Sequence, residues 1–325
     1  MIKLSLLFIY FLLLTLSGFS KDNKQGKEGK DADIEIVLDE APEFQAPIAI
    51  GKFINKGGLE PTEKEDIQMV ITNDLLLSGF FNILPKESYL VDFSKTQDIS
   101  FDPKKIPFQS WTTIKAMYLI MGWYSITPDG GFKMGAYLYD VIGRQTLLDK
   151  TYSGKRDIIR RIAHRFSDLV IKVVTGEPGI CETQIAFVST RNGKNKAVYI
   201  MDYDGENIKL VSKKITTYLA PAWNRNGSKL AFIVNNNGDW ELQTTELKTL
   251  NTKTAQLPSH LVITPEFSPV SDDIVLVSMS TKNDQEIFSF NPNDSKQKPI
   301  ALTKSWNLDL SPSFSPDGEQ IAYVS

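Results

Sequence analysis

Apolar and polar positions along the chain change rhythm three times. Leu4–Leu16 is a nearly unbroken apolar run behind a positive start, Met1–Lys3. Gly18 and Ser20 then supply small residues at the −3 and −1 positions of a cut between Ser20 and Lys21, the layout of an export signal. The run is short for a membrane-spanning helix. Lys21–Asp33 follows with four Lys, four acidic residues and two Gly, too polar to order itself by burial, and reads as a charged flexible segment. Alternation begins at Ile34-Glu35-Ile36-Val37-Leu38, a predicted strand, and Pro47–Phe53 predicts a second, more buried one.

From Pro61 the period lengthens. Pro61-Thr62, with Glu63, Glu65 and Asp66 close behind, predicts a helix start; Ile67, Val70, Ile71 and Leu75 give it one apolar side. Ser78-Gly79 stops it, and Phe80–Leu84 returns as a strand. Pro107–Ile114 predicts a short helix anchored by Trp111. Met117–Ile126, Phe132–Tyr139 and Gln145–Tyr152 predict three strands, with tight turns at Pro128–Gly131 and Asp140–Arg144, hence an antiparallel meander. Ile158, Ile162, Phe166, Leu169 and Val173 form the stripe of a long helix. Arg160, Arg161, Arg165 and Lys172 are read as its solvated face, and His164 among them as structural or exposed. Thr175–Gly179 ends it and marks a boundary between a domain of 34–176 and a second of 180–325.

The second domain repeats. Ile185–Ser189 recurs as Leu230–Val234, Ile274–Ser278 and Ile321–Ser325, at offsets of 45, 44 and 47 residues. Pro221–Lys229, Pro265–Asp273 and Pro312–Gln320 precede the last three. Ala197–Asp202, Trp240–Glu246 and Glu286–Asn291 supply further strands. Short strands at a period near 45 are the pattern of β-propeller blades, which must stack to bury their faces. The expected fold is therefore a mixed α/β amino-terminal domain followed by an all-β propeller. About three and a half blades are expected. A ring of six would need roughly 120 further residues at about 45 per blade.

Composition narrows the chemistry. The chain has 325 residues, with 36 Lys and Arg against 39 Asp and Glu, so nothing favours nucleic acid as a partner. One cysteine, Cys181, excludes an internal disulfide and a multi-cysteine zinc site. The two histidines are His164 and His260. Asp202-Tyr203-Asp204-Gly205 opens like a calcium loop, but the twelfth position is Lys213, so a hairpin turn is the better reading. No G-x-S-x-G elbow and no phosphate-binding loop is present, and no catalytic, cofactor or metal residue is assigned. Trp223, Phe267 and Phe314 share one repeat position and are expected in blade cores.

Pro312–Ser325 reads P-S-F-S-P-D-G-E-Q-I-A-Y-V-S, and Pro221–Val234 is a weaker copy. With Met201–Gly205 they resemble the blades of the TolB family. Ile34–Asp39, Pro47–Ile50 and the helix leading into Asp74–Phe81 look like that family's amino-terminal domain, and Thr183–Ser189 like its first blade. The resemblance implies a periplasmic, non-enzymatic scaffold of the Tol–Pal envelope system, without cofactor, supporting outer-membrane integrity and constriction in division. It implies that the propeller binds the lipoprotein Pal and that an amino-terminal segment binds TolA. Carried over, that segment is Ile34, Glu35, Ile36, Val37, Leu38, Asp39 and Glu40. Other outer-membrane-associated partners are compatible, and the membrane is reached only through partners. The alternative is the propeller of an exported prolyl-oligopeptidase-type peptidase whose catalytic domain lies elsewhere.

Overall fold

The computed structural model describes residues 44–91 and 99–325, apart from 192, 194, 213–216, 237, 258, 260–261, 281–283, 295–297 and 306. The export signal, the charged segment and the expected strand at Ile34–Leu38 lie outside the described residues.

The first domain is built on one long strand, β1 (Ala46–Gly58). The chain passes through α1 (Ile67–Leu77) to β2 (Phe81–Ile83), then through α2 (Phe108–Thr113) to β3 (Tyr118–Ile126). β4 (Gly131–Asp140) and β5 (Gln145–Lys155) complete a sheet of order β2-β1-β3-β4-β5. β1 runs parallel to both neighbours, because α-helical crossovers return the chain to the same end. β3, β4 and β5 form the expected antiparallel meander. α1 and α3 (Ile159–Thr175) cover one face through Ile71, Leu75, Phe166 and Val170. Trp111 of α2 anchors the cover of the other face, over Leu119, Met121 and Tyr139.

Two helix expectations need correction. α1 starts at Ile67, not at Pro61. Asp66 is extended, at ψ 104°, and its carboxylate accepts the Met69 N–H at 3.1 Å. That caps a new helix, while Thr62 and Glu65 close a separate 3-10 turn over Glu63–Glu65. On α3 the buried side is Ile159, Ile162, Ala163, Phe166 and Val170, and Val173 is 42% exposed. Seven residues bring a straight helix back to within about 20° of its starting direction, so Val173 still points to the side of Phe166, but it lies in the last turn, past Ile171, the last buried residue of the helix. Gly176, at φ 85°, ends the helix in the left-handed region that glycine enters without steric cost.

The second half is a row of antiparallel sheets. β6 (Gln184–Ser189), β7 (Ala197–Asp202) and β8 (Lys209–Leu210) make the first. The second runs β9 (Thr217–Trp223), β10 (Lys229–Asn236), β11 (Asp239–Glu246) and β12 (Thr252–Leu257). The third comprises β13 (Val262–Phe267), β14 (Val275–Ser280), β15 (Gln285–Phe290) and β16 (Ile300–Ala301). β17 (Leu310–Phe314) and β18 (Ile321–Val324) form the last. β9, β13 and β17 stand side by side in adjacent sheets, the arrangement of propeller inner strands. The described sheets do not close a ring. Apolar side chains of neighbouring sheets meet between them, such as Ile233 and Leu242 with Val275 and Val277.

The repeated prolines mark something the sequence did not announce. Ala220, Thr264 and Ser311, each just before a proline, have φ of 46°, 50° and 50°. Pairing slips at the same place in all three sheets. Each inner strand thus carries a bulge held in an unfavourable left-handed conformation. The turn after it closes tightly, with Gly318 N–H on the Ser315 carbonyl at 2.8 Å and Gly227 N–H on the Asn224 carbonyl at 3.0 Å.

Candidate functional site

The most concentrated chemistry lies where α3 meets the first blade. Arg160 and His164 are four residues apart and so lie on one side of α3. β7 ends in the Asp202–Gly205 turn, closed by the Gly205 N–H on the Asp202 carbonyl. This turn brings two carboxylates to that side of the helix. Arg160 Nη2 lies 2.6 Å from both oxygens of Asp204, and its Nε lies 3.2 Å from Asp202 Oδ2. His164 Nδ1 lies 2.9 Å from both oxygens of Asp74 on α1. Its Nε2 faces Asp202 Oδ2 at 3.8 Å.

Burial makes these charges matter. Asp74 is fully buried and His164 is 3% exposed. Burial opposes charge on His164, but the pull of Asp202, Asp74 and Asp204 outweighs it and holds its pKa up at about 9. Burial likewise opposes charge on Asp202, and His164, Arg160 and Gln184 together draw it down to about 2. Burial pushes Asp74 up, and its bond to His164 pulls it back. Burial also pushes the Cys181 thiol up. Cys181 lies beyond the end of α3, where Asp168 accepts its N–H at 2.6 Å and that of Glu182 at 3.1 Å.

A cleft of about 950 Å³ opens beside this group. Arg156, Arg161, Lys209, Trp223 and Arg225 are among its lining residues. Glu65 holds Arg156 at 2.7 Å and is itself drawn down to about 2 by that bond. Arg161 and Arg165 share Glu182. Lys209 and Arg225 have no ion-pair partner among the described residues.

Expectation and structure part company here. Arg160 is no solvated residue: its side chain is mostly buried in the junction, because two carboxylates from the blade meet it. Arg161 and Arg165 do stay largely exposed. The Asp202–Gly205 hairpin turn holds as read, yet it docks the first domain, which the sequence gave no reason to expect. Asp74, His164 and Asp204 offer donor atoms within 4.8 Å of one another, a spacing that could suit a cation. The Asp204 and Asp74 oxygens are already taken up by Arg160 and by His164 Nδ1. Phe267 is buried in a blade core, while Trp223 and Phe314 are half-buried. The expected partner segment Ile34–Glu40, the cut at Ser20 and Lys21, and His260 lie outside the described residues.

A mixed domain tied by ion pairs to the first sheet of a blade row defines a two-domain propeller protein. Family comparison makes this specific. The TolB amino-terminal domain matches residues 34–147 and the TolB β-propeller domain matches 171–325. The chain belongs to the TolB family. It is 29% identical over 283 residues to a TolB homolog of Chlorobium luteolum, covering 86% of this chain and 61% of that protein. It is 32% identical over 263 residues to the Tol-Pal system protein TolB of Desulfosudis oleivorans, covering 80% and 58%. The chain thus spans about three fifths of the length of these curated relatives. The crystal structure of TolB from Acinetobacter baumannii shares the fold, with a TM-score of 0.51 at 21% identity, over 88% of this chain and 78% of that one. No described helix is long and apolar enough to cross a membrane.

Proposed function

We propose that this protein is a periplasmic scaffold of the Tol–Pal envelope system, exported by a signal cut between Ser20 and Lys21, and without enzymatic activity. Its propeller binds Pal, and Ile34–Glu40 binds TolA. An alternating strand is a sensible contact, since its free N–H and C=O groups can pair with another strand. Through these partners it supports outer-membrane integrity and constriction during division. The observation that carries the reading is the buried tie between domains at Arg160 and His164, which gives occupancy of one domain a physical route to the other. Similarity to named Tol-Pal proteins supports the system assignment.

The mechanism is coupled binding: TolA on the amino-terminal segment alters the hold on Pal. Linkage then requires Pal to alter TolA affinity by the same factor. Calorimetric titration of the full chain with Pal, with and without TolA, tests this. The expected result is a change of about 5-fold or more, equal in both directions. Removing 34–40 should abolish TolA binding and the coupling while sparing Pal. A chain that binds neither protein, or binds both with no coupling, overturns the proposal.

A further inference from the structure

The Asp74, Arg160, His164, Asp202 and Asp204 group is larger than domain docking by packing would need. Three carboxylates and two cations are buried together, drawn from α1, α3 and the turn after β7. Buried charges are costly unless paired, so their arrangement constrains the junction strongly. Arg160 serves Asp202 and Asp204, both on the blade. His164 differs: one ring nitrogen serves its own domain, through Asp74, and the other faces the blade, through Asp202.

Ring chemistry makes this two-sided placement decisive. A neutral imidazole has one N–H and one lone pair; only the imidazolium has two N–H groups. With Nδ1–H given to Asp74, a neutral ring would turn its Nε2 lone pair towards the Asp202 carboxylate. Nε2 is buried and finds no hydrogen-bond partner among the described residues. At 3.8 Å its tie to Asp202 is an attraction between charges and not a formed hydrogen bond.

We propose that His164 is a proton-gated latch between the first domain and the first blade. Charged, it draws Asp74 and Asp202 together across the junction. Uncharged, it repels Asp202, loosening the junction and the cleft beside it. Arg160 remains as a permanent tie, so release loosens the domains without parting them.

The groups facing the ring set the pH window. Asp74 faces it from α1, Asp202 and Asp204 from the blade, and Arg160 from its own helix. Cys181 and Tyr203 stand near Asp74, and burial pushes both upward, so they stay neutral through this range. The folded pKa of His164, about 9, lies above the unfolded value of about 6.5. The latch is therefore fully effective below about pH 6.5 and is lost as pH rises through about 9.

Calorimetry and histidine NMR of the full chain test this together. The chain has two histidines, so comparison with His164→Gln assigns the His164 signal. That signal should titrate at about 9. Wild type should unfold in one transition at about pH 6.5 and in two once the proton is lost. His164→Gln should give two transitions at both pH values. Asp202→Asn keeps the Asp74 pair; it should lower the His164 titration and also split the transition. Glu65→Gln breaks an ion pair inside the first domain, and should lower stability without splitting. A His164 signal titrating near or below 6.5 overturns the proposal. So does a wild type with the same number of transitions at both pH values, or a Glu65→Gln variant that splits like His164→Gln.

Discussion

The first domain and the blades bury their apolar residues by different rules. In the first domain one sheet is covered on both faces by its own chain: α1 and α3 on one side, the segment around Trp111 on the other. In the second half no sheet covers itself. Val198 and Ile200 of the first blade meet Leu230 and Phe232 of the second, whose Ala231 and Ile233 meet Val275 and Val277 of the third. The lesson is that the first domain buries its core mainly against its own chain, with Cys181 and Tyr203 added from the junction, while each blade holds its stability jointly with its neighbours.

Three substitutions would sharpen or break this contrast. Phe166→Ala empties a fully buried site between helix and sheet, and should cost about 3–5 kcal/mol. Placed in a His164→Gln background, where the latch is open, it should show by hydrogen exchange protection lost across β1, β3 and β4 and kept in β13–β16. Equal loss in the third blade would mean that the domains share one core. Leu242→Ala should cost about 3 kcal/mol, within the usual range for a buried leucine. Its side chain belongs to a core shared by two sheets, so both β9–β12 and β13–β16 should lose protection. Loss confined to its own sheet would break the nearest-neighbour account. Asp66→Ala removes a helix cap and should cost only about 1 kcal/mol. Denaturant titration should show that small shift, and a loss above 3 kcal/mol would reveal a larger role for the turn at Glu63–Glu65.

Much of the fold was legible. Strand and helix rhythms located the meander, the helix carrying Ile67, Val70 and Ile71, and the blade strands, because those residues lie on faces with a fixed period. Boundaries were less legible. The helix start slipped to Ile67 because Asp66 competed with Thr62 to cap it, and both are acceptable caps. The inner-strand bulges were hidden because a residue before proline is biased to extended backbone, and Ala220, Thr264 and Ser311 take a left-handed φ against that bias.

The junction was not legible at all, though every residue in it was in view. Arg160 looked like a member of a solvated helix face, His164 like a structural or exposed residue within it, and Asp202-Tyr203-Asp204-Gly205 like a turn; only the turn and the structural reading of His164 hold. A helix places residues four apart on one side, and a turn presents its carboxylates outward, from local rules alone. Thus the sequence by itself determined the domain types, the blade repeat and the family. Only the tertiary structure decided that this side of the helix faces this turn, with Asp74 beneath it. That is a matter of distances between residues some 40 and 90 positions apart in the chain. Coulombic pairing and desolvation depend on such distances in space, which no local pattern records.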